Sequence, residues 1–241
     1  MELEIFTNVD TLSEAVANKI LEIIKKKPSA TICLTSGSTP ELAYKLLVNK
    51  ILDEKIDYSK CTFIGLDEWV GIGPENIGAC QYIIKKLVIE PLQINPKKSH
   101  FFDGLATDLE AECKKIDKII FENGGLDFII VGIGLNGHLG LNEPNVPANN
   151  YSHIVDLEQI TIQTGQKYFD TKTPLTQGIT IGLQHLQEAK VAVLMANGAN
   201  KAAIIEQTIT SEISMVVPAT QIRKHKNAYI MIDQEAAIKL K

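Results

Sequence analysis

Residues 127–144 read DFIIVGIGLNGHLGLNEP, a run that gathers Asn136, His138 and Glu143 around a glycine-rich turn. Imidazole titrates near neutral pH, and a carboxylate close enough to orient it makes a histidine a proton shuttle. The same run satisfies GxGxxG at Gly132, Gly134 and Gly137, after an apolar strand and with Asp156 downstream, which is formally a dinucleotide fingerprint. That fingerprint requires its third glycine to enter a helix. Here the glycine leads into HLGLNEPNVP, with Gly140, Pro144 and Pro147 and no amphipathic period, so the dinucleotide reading is rejected in favour of acid–base chemistry.

A second constellation, Thr35-Ser36-Gly37-Ser38-Thr39-Pro40, follows one apolar run and precedes a helical one. Backbone N–H groups of a glycine turn, the hydroxyls of Ser36, Ser38 and Thr39, and a helix start together suit a phosphate monoester. The bland alternative is a plain N-cap by Thr39, with Pro40 in the first helical position. The loop is not a Walker A, because GxxxxGK[ST] is missing. Third, Asp67-Glu68-Trp69 closes the apolar run 61–66, at the end of a parallel strand where ligands bind. Extended backbone sends Asp67 and Glu68 to opposite sides, so at most one addresses a given substrate atom. A carboxylate there abstracts a carbon-bound proton only if burial raises its pKa toward neutrality. Capping of the next turn by Asp67 is the alternative. Lys167, in GQKYFD, and Lys201, in NGANKAAII, are cations whose commoner fate is the solvated surface. His100, His138, His153, His185 and His225 lack paired ligand spacing, so no metal site is read.

Short apolar runs alternate with segments of helical period, the pattern of an α/β, doubly wound, mostly parallel sheet with helices on both faces, Rossmann-like, in one domain over 1–241. Strands are expected at 3–6, 30–35, 61–66, 127–133, 178–181, 191–195, 213–217 and 228–232, and helices at 12–26, 40–52, 79–89, 108–122 and 200–208. The stretch 145–172, polar and with Asn145, Asn149 and Asn150 near its start, shows no clear element. Loops of that length inside a compact domain tend to cover a site or to hide a short helix.

Composition removes several classes of function. A net charge of −5 and a pI of 5.6, with no basic stripe, exclude nucleic acid as a partner. No apolar run approaches the roughly 18 residues of a membrane span, and MELEIFTNVDTLSEA has neither a basic start nor an apolar h-region, so neither membrane insertion nor export is expected. Cys33, Cys61, Cys80 and Cys113 form no CxxC pair and suit a reducing cytoplasm.

Taken together, the segments resemble the glucosamine-6-phosphate and galactosamine-6-phosphate deaminases, also called isomerases, nearly end to end. SGSTP, LDEW, GIGLNGHLGLNEP, GITIGL and NGANK stand in that family's order and approximate spacing, and GHxxxNEP is the specific part. The resemblance implies that Asp67 moves a proton from C2 toward C1 of an open-chain amino sugar. It implies that His138, held by Glu143 and assisted by Asn136, opens the pyranose ring. Ser36, Gly37, Ser38 and Thr39, with Lys167 and Lys201, would hold the 6-phosphate as a remote anchor. The products are a ketohexose 6-phosphate and ammonia, and no cofactor is implied. A homo-oligomer is compatible with the resemblance, since members range from monomers to hexamers.

The chain departs from the family in three places. Some members have aspartate at Asn136, so this position is read as polar support. Many have arginine at Lys167, where lysine supplies a point charge without a bidentate fork. Allosterically activated members carry an arginine cluster where this chain reads NVPANNYSHIVD, so no activator site is expected. Trp69, with the phrases TFIGLDEW and ICLTSGSTP, leans toward the galactosamine branch, since tyrosine usually follows Asp-Glu in the glucosamine branch. Two alternatives are a 6-phosphogluconolactonase-like hydrolase, which shares the phosphate loop, and a non-catalytic sugar-phosphate sensor.

Overall fold

In the computed structural model, which describes residues 1–240, the chain runs β1 (Glu2–Phe6), α1 (Val9–Lys26), β2 (Thr31–Leu34), α2 (Glu41–Asp53), β3 (Thr62–Gly65), β4 (Asp67–Trp69) and α3 (Cys80–Ile84). It continues through β5 (Ser99–His100), α4 (Leu109–Glu122), β6 (Phe128–Val131), β7 (His153–Asp156), α5 (Gln159–Gly165) and β8 (Gln177–Thr180). The last elements are α6 (Leu183–Glu188), β9 (Ala192–Ala196), α7 (Ala202–Thr210) and β10 (Ala228–Asp233). Seven strands form a parallel sheet in the order β1-β10-β9-β6-β2-β3-β5. Successive crossovers step outward from β2 through β3 to β5, and outward from β6 through β9 to β10. The order therefore reverses between β2 and β6, and the loops leaving those two strands diverge around a crevice at their C-terminal ends.

The central strands TICL, TFIG and FIIV are buried at every position, which is why they read as continuous apolar runs rather than alternating ones. Ile32, Leu34, Phe128 and Ile130 face the layer containing Leu12, Val16, Ile20, Leu47 and Ile51 of α1 and α2. Cys33, Ile129 and Val131 face Ile116 and Ile120 of α4 and Ile204 and Ile205 of α7. Each large side chain so buried contributes about 1.5–3 kcal/mol relative to exposure. Helix α1 forms where it does because Leu12, Val16, Ile20 and Ile24 repeat on one face and Asn8 and Thr11 close a reciprocal cap at its start.

The expected strand at 178–181 forms, but in a second sheet, where β8 pairs antiparallel with β4 and β7. The expected strand at 213–217 does not form. Pro218 follows it, and the Thr220 hydroxyl takes the Ser214 N–H and reaches back to the Ser214 carbonyl, giving the backbone a local alternative to a ladder. The stretch 145–172 does hide structure: β7, α5 and a single 3-10 turn, Gln166–Tyr168. The segment 79–89 is helical, but its second half, Lys85–Ile89, widens to a π-turn. Helix α2 starts after Pro40 without a side-chain cap, so Thr39 is not its N-cap. Among the described residues no helix is long and apolar enough to cross a membrane.

Candidate active site

The crevice between β2 and β6 opens into a pocket of about 550 Å³. Its walls come from the ends of β2, β3, β6 and β9 and from α5, so residues far apart in the chain meet because their strands are parallel neighbours. Ser36, Gly37, Ser38, Thr39, Asp67, His138, Lys167 and Lys201, all singled out in the sequence, line this one space. Asn136 and Glu143 do not line it; they stand behind His138 and act on it.

One side of the pocket has the composition that suits an anion. Gly37 has φ +108°, a left-handed conformation that favours glycine, and a Cβ there would meet the Tyr168 hydroxyl at 3.1 Å. Lys201 rises from the turn after β9, which is fixed by the Gly198 N–H donating to Asp233 at 3.0 Å. Its Nζ donates to the Ile133 carbonyl at 2.6 Å and has no carboxylate partner among the described residues. Burial, and then the neighbouring Lys167, pull the Lys201 amine down to about 8. Two ammonium groups lining one pocket beside a glycine turn repel each other, and a dianion would relieve that repulsion.

Asp67 and Glu68 part company as strand alternation requires. Glu68 is fully buried and turns away from the pocket, accepting the N–H groups of Trp69, Cys80 and Gln81 at 2.9–3.0 Å. It thereby pins the start of α3 beneath the site, and burial still pushes its carboxyl up to about 7 against those donors. Asp67 faces the pocket at 8% exposure, and its Oδ1 has no hydrogen-bond partner. Burial raises its carboxyl to about 6, opposed by the Cys80 thiol and by His138. A carboxylate with this value is ionised at neutral pH yet basic enough to accept a carbon-bound proton.

His138 sits in a cage of short connections. Its ring lies against the Cα of Gly134, where any Cβ would fall within 2.4 Å of three ring atoms, so this glycine is needed for space. Gly137, at φ +83°, turns the chain over Val217. Asn136 ties the turn together, donating Nδ2–H to Glu143 Oε2 at 2.7 Å and accepting the His138 N–H at 3.2 Å. Glu143 is 1% exposed, with Oε2 3.5 Å from His138 Nδ1. Burial would raise its carboxyl, but contacts with His138, Thr161 and Asn136 hold it below the ordinary glutamate value. The arrangement is a charged carboxylate behind an imidazole that faces the pocket, which suits proton transfer to and from a bound ligand.

Sequence reading passed over Thr161, Gln163 and Cys80, which also line the pocket. Thr161 and Gln163 lie in ITIQTG, whose β-branched residues mask a helix of under two turns. Cys80 is an isolated thiol with no motif around it.

The family described as glucosamine-6-phosphate isomerases/6-phosphogluconolactonase matches residues 7–231. The chain is 36% identical over 238 residues to a glucosamine-6-phosphate deaminase of Clostridium tetani, covering 98% of this chain and 99% of that protein. It is 35% identical to the one from Thermoanaerobacter sp. (strain X514), with 98% and 94% covered. Among solved structures, a monomeric glucosamine-6-phosphate deaminase superposes with a TM-score of 0.96 at 28% identity, over 99% of this chain and 100% of that one. The 6-phosphogluconolactonase from Trypanosoma brucei superposes at 0.80 with 18% identity over 100% and 98%, a likeness of fold alone.

Proposed function

Because the chain belongs to the family of glucosamine-6-phosphate isomerases and 6-phosphogluconolactonases, we propose that the pocket between β2 and β6 is where a hexosamine 6-phosphate is opened, isomerised and deaminated. The chain is an enzyme, and its reaction is deamination with isomerisation of a hexosamine 6-phosphate to a ketohexose 6-phosphate. What carries the assignment of residues is the meeting, in one pocket, of an ionisable aspartate with an unpartnered oxygen, a carboxylate-backed histidine and two lysines beside a glycine turn.

The 6-phosphate sits on Ser36, Gly37, Ser38 and Thr39, with Lys167 and Lys201 neutralising it. That remote anchor holds the sugar's other end over Asp67 and His138. His138 takes the proton of the anomeric hydroxyl and returns one to the ring oxygen, so the C1–O5 bond breaks and the aldehyde forms. Asp67 then removes the C2 proton, leaving an enolamine, and delivers a proton to C1 to give the C2 imine. Water adds to C2 and ammonia leaves, so one water is consumed and the net change is hydrolytic. Glu143 and Asn136 touch no substrate atom in this scheme; they fix His138.

Between epimers, we favour galactosamine 6-phosphate. Trp69, 5% exposed and lining the pocket, follows Asp67-Glu68 where glucosamine-branch relatives usually carry tyrosine. The four unpaired, buried cysteines suit a cytoplasmic enzyme. The reaction and the epimer are tested together by offering glucosamine 6-phosphate, galactosamine 6-phosphate and 6-phosphogluconolactone to the purified enzyme and measuring ammonia, ketose and acid. Ammonia and ketose from the galactosamine epimer, at the higher kcat/KM, are expected. Lactone hydrolysis without ammonia would falsify the deaminase assignment, and preference for the glucosamine epimer would remove only the epimer assignment.

A further inference from the structure

We propose that Thr161 is a positioning residue for ring opening: its hydroxyl, carried on α5, bridges His138 and Glu143 and fixes the imidazole so that Nε2 faces the substrate. The proposal rests on the ring-opening role of His138 given above. The direct path from His138 Nδ1 to Glu143 Oε2 is 3.5 Å, longer than an ordinary N–H···O bond. The Thr161 Oγ1 lies 3.1 Å from the same Nδ1. It is 2% exposed, so no solvent competes for that contact.

A threonine hydroxyl has one proton and two lone pairs, which suits a relay. In the proposed relay Nδ1–H donates to Thr161 Oγ1 at 3.1 Å and the Thr161 O–H is turned toward the Glu143 carboxylate, which His138, Thr161 and Asn136 together hold below the ordinary glutamate value against burial. With Nδ1 protonated in this way, Nε2 keeps its lone pair. Nε2 has no hydrogen-bond partner within the chain among the described residues, and His138 lines the pocket, so the free nitrogen is the one available to the anomeric hydroxyl. Valine at 161 would keep the volume and remove the relay, leaving two near-equal tautomers, of which only one presents a base.

The position of Thr161 adds a consequence. Helix α5 is tied to the same dyad at its start, where the Glu158 N–H donates to Glu143 Oε1 at 3.3 Å. At its end Gly165 packs on the Trp69 ring, where a Cβ would lie 3.1 Å from the indole, and two residues later Lys167 reaches the anion corner. The 3-10 turn that presents a lysine to the phosphate therefore continues directly from the helix that aligns the histidine. A sugar bound without its phosphate loses that link.

The test is Thr161→Val against Thr161→Ser, with ¹⁵N NMR of His138 in the free enzyme, assigned by its disappearance in His138→Gln. For Thr161→Val the expected result is a kcat lower by about ten- to a hundredfold, the cost of misplacing a catalytic group by about an ångström. KM and the inhibition constant of an open-chain amino-alditol 6-phosphate, which needs no ring opening, should stay within about twofold of wild type. The His138 resonances should move from a single Nδ1–H tautomer toward a mixture, and Thr161→Ser should restore both rate and spectrum. Should the valine variant not fold, Thr161→Ala serves the same NMR comparison. An unchanged His138 spectrum in the hydroxyl-less variant overturns the proposal, as does a wild-type kcat. The NMR arm uses no substrate, so its failure is separate from that of the reading beneath it, which falls if the wild-type enzyme releases no ammonia from either hexosamine phosphate.

Discussion

Asp127 and Asp67 are both buried beside the parallel sheet, one at the N-terminal end of β6 and the other just past the C-terminal end of β3, and their surroundings are opposite. Asp127 has both oxygens engaged: Oδ2 by Lys27 at 2.7 Å and the Thr31 N–H at 2.8 Å, Oδ1 by Lys190 at 2.7 Å. Burial alone would raise its carboxyl, but these partners together hold it below the ordinary aspartate value. Asp67 is left with an unpartnered oxygen and is raised to about 6. The lysines divide in the same way. Lys27 and Lys190 each pair with an oxygen of Asp127, whereas Lys167 and Lys201 both line the pocket and neither has a carboxylate partner among the described residues. At one end of the sheet both carboxylate oxygens are engaged and tie strands and helix together; at the other, in the reaction proposed above, a ligand would supply the missing partner.

Removing the carboxylate from the incomplete end should have the largest effect on rate. Asp67→Asn is expected to lower kcat by roughly 10²–10⁴-fold, the usual worth of a general base, with KM near wild type. Steady-state kinetics on the preferred epimer check this, and a variant that folds but cannot bind substrate would make Asp67 a binding residue. Lys201→Met comes next. Losing one charge-assisted contact to phosphate is worth about 1.5–3 kcal/mol, so KM should rise roughly ten- to a hundredfold with a smaller change in kcat. If KM is unchanged, the anion corner has been assigned to the wrong side of the pocket.

How far each end can be read from sequence follows from what builds it. Asp67, His138 and the Ser36–Thr39 loop were legible because each follows an apolar run in a parallel sheet, where the geometry of the strand end is generic. The separation of Asp67 from Glu68 was legible from strand alternation alone. The destination of Glu68, the start of α3, was not, because three backbone N–H groups leave no mark in residue types. Asp127 was counted in the motif of the site, although it stands at the far end of β6 from the chemistry; a strand has two ends, and the motif spans both. The second sheet was missed because β4 and β7 are only three and four residues long and both pair antiparallel with β8, β4 across more than a hundred residues of chain, a register set by tertiary contact. Thr161 was missed for the same reason, since its partner is His138 and not a neighbour in its own helix.

At the complete end, Asp127→Asn should leave activity per folded molecule unchanged and lower stability by about 2 kcal/mol, as hydrogen bonds to a charged group are lost and two lysines are left unpaired. Denaturant melts read this directly. A comparable loss of kcat with no loss of stability would mean that the two ends are coupled and the division drawn here is wrong.

The pH dependence of stability, whose change per pH unit is the smallest of these effects, carries opposite signs at the two ends. Asp67 titrates near 6 in the folded protein and near 3.9 unfolded, so the folded state holds a proton that the unfolded chain has lost between those values. Its contribution to stability is full below about 4 and is lost as pH rises through about 6, and Glu68, held at about 7, acts in the same sense. Asp127 is depressed when folded, so its contribution is full above the unfolded value and is lost as pH falls through the folded one, below 3.8. From pH 7 to 5, kcat/KM should therefore fall with an acid limb near 6 while the melting temperature rises or holds, activity and stability moving apart. Asp67→Asn should flatten the stability slope between pH 4 and 6 by up to about 1.4 kcal/mol per pH unit, and Asp127→Asn should flatten only the loss below about 4. Parallel melting curves for wild type and Asp67→Asn across pH 4–6 would show that the open oxygen of Asp67 is already satisfied in solution, and the contrast between the two aspartates would then lie in position alone.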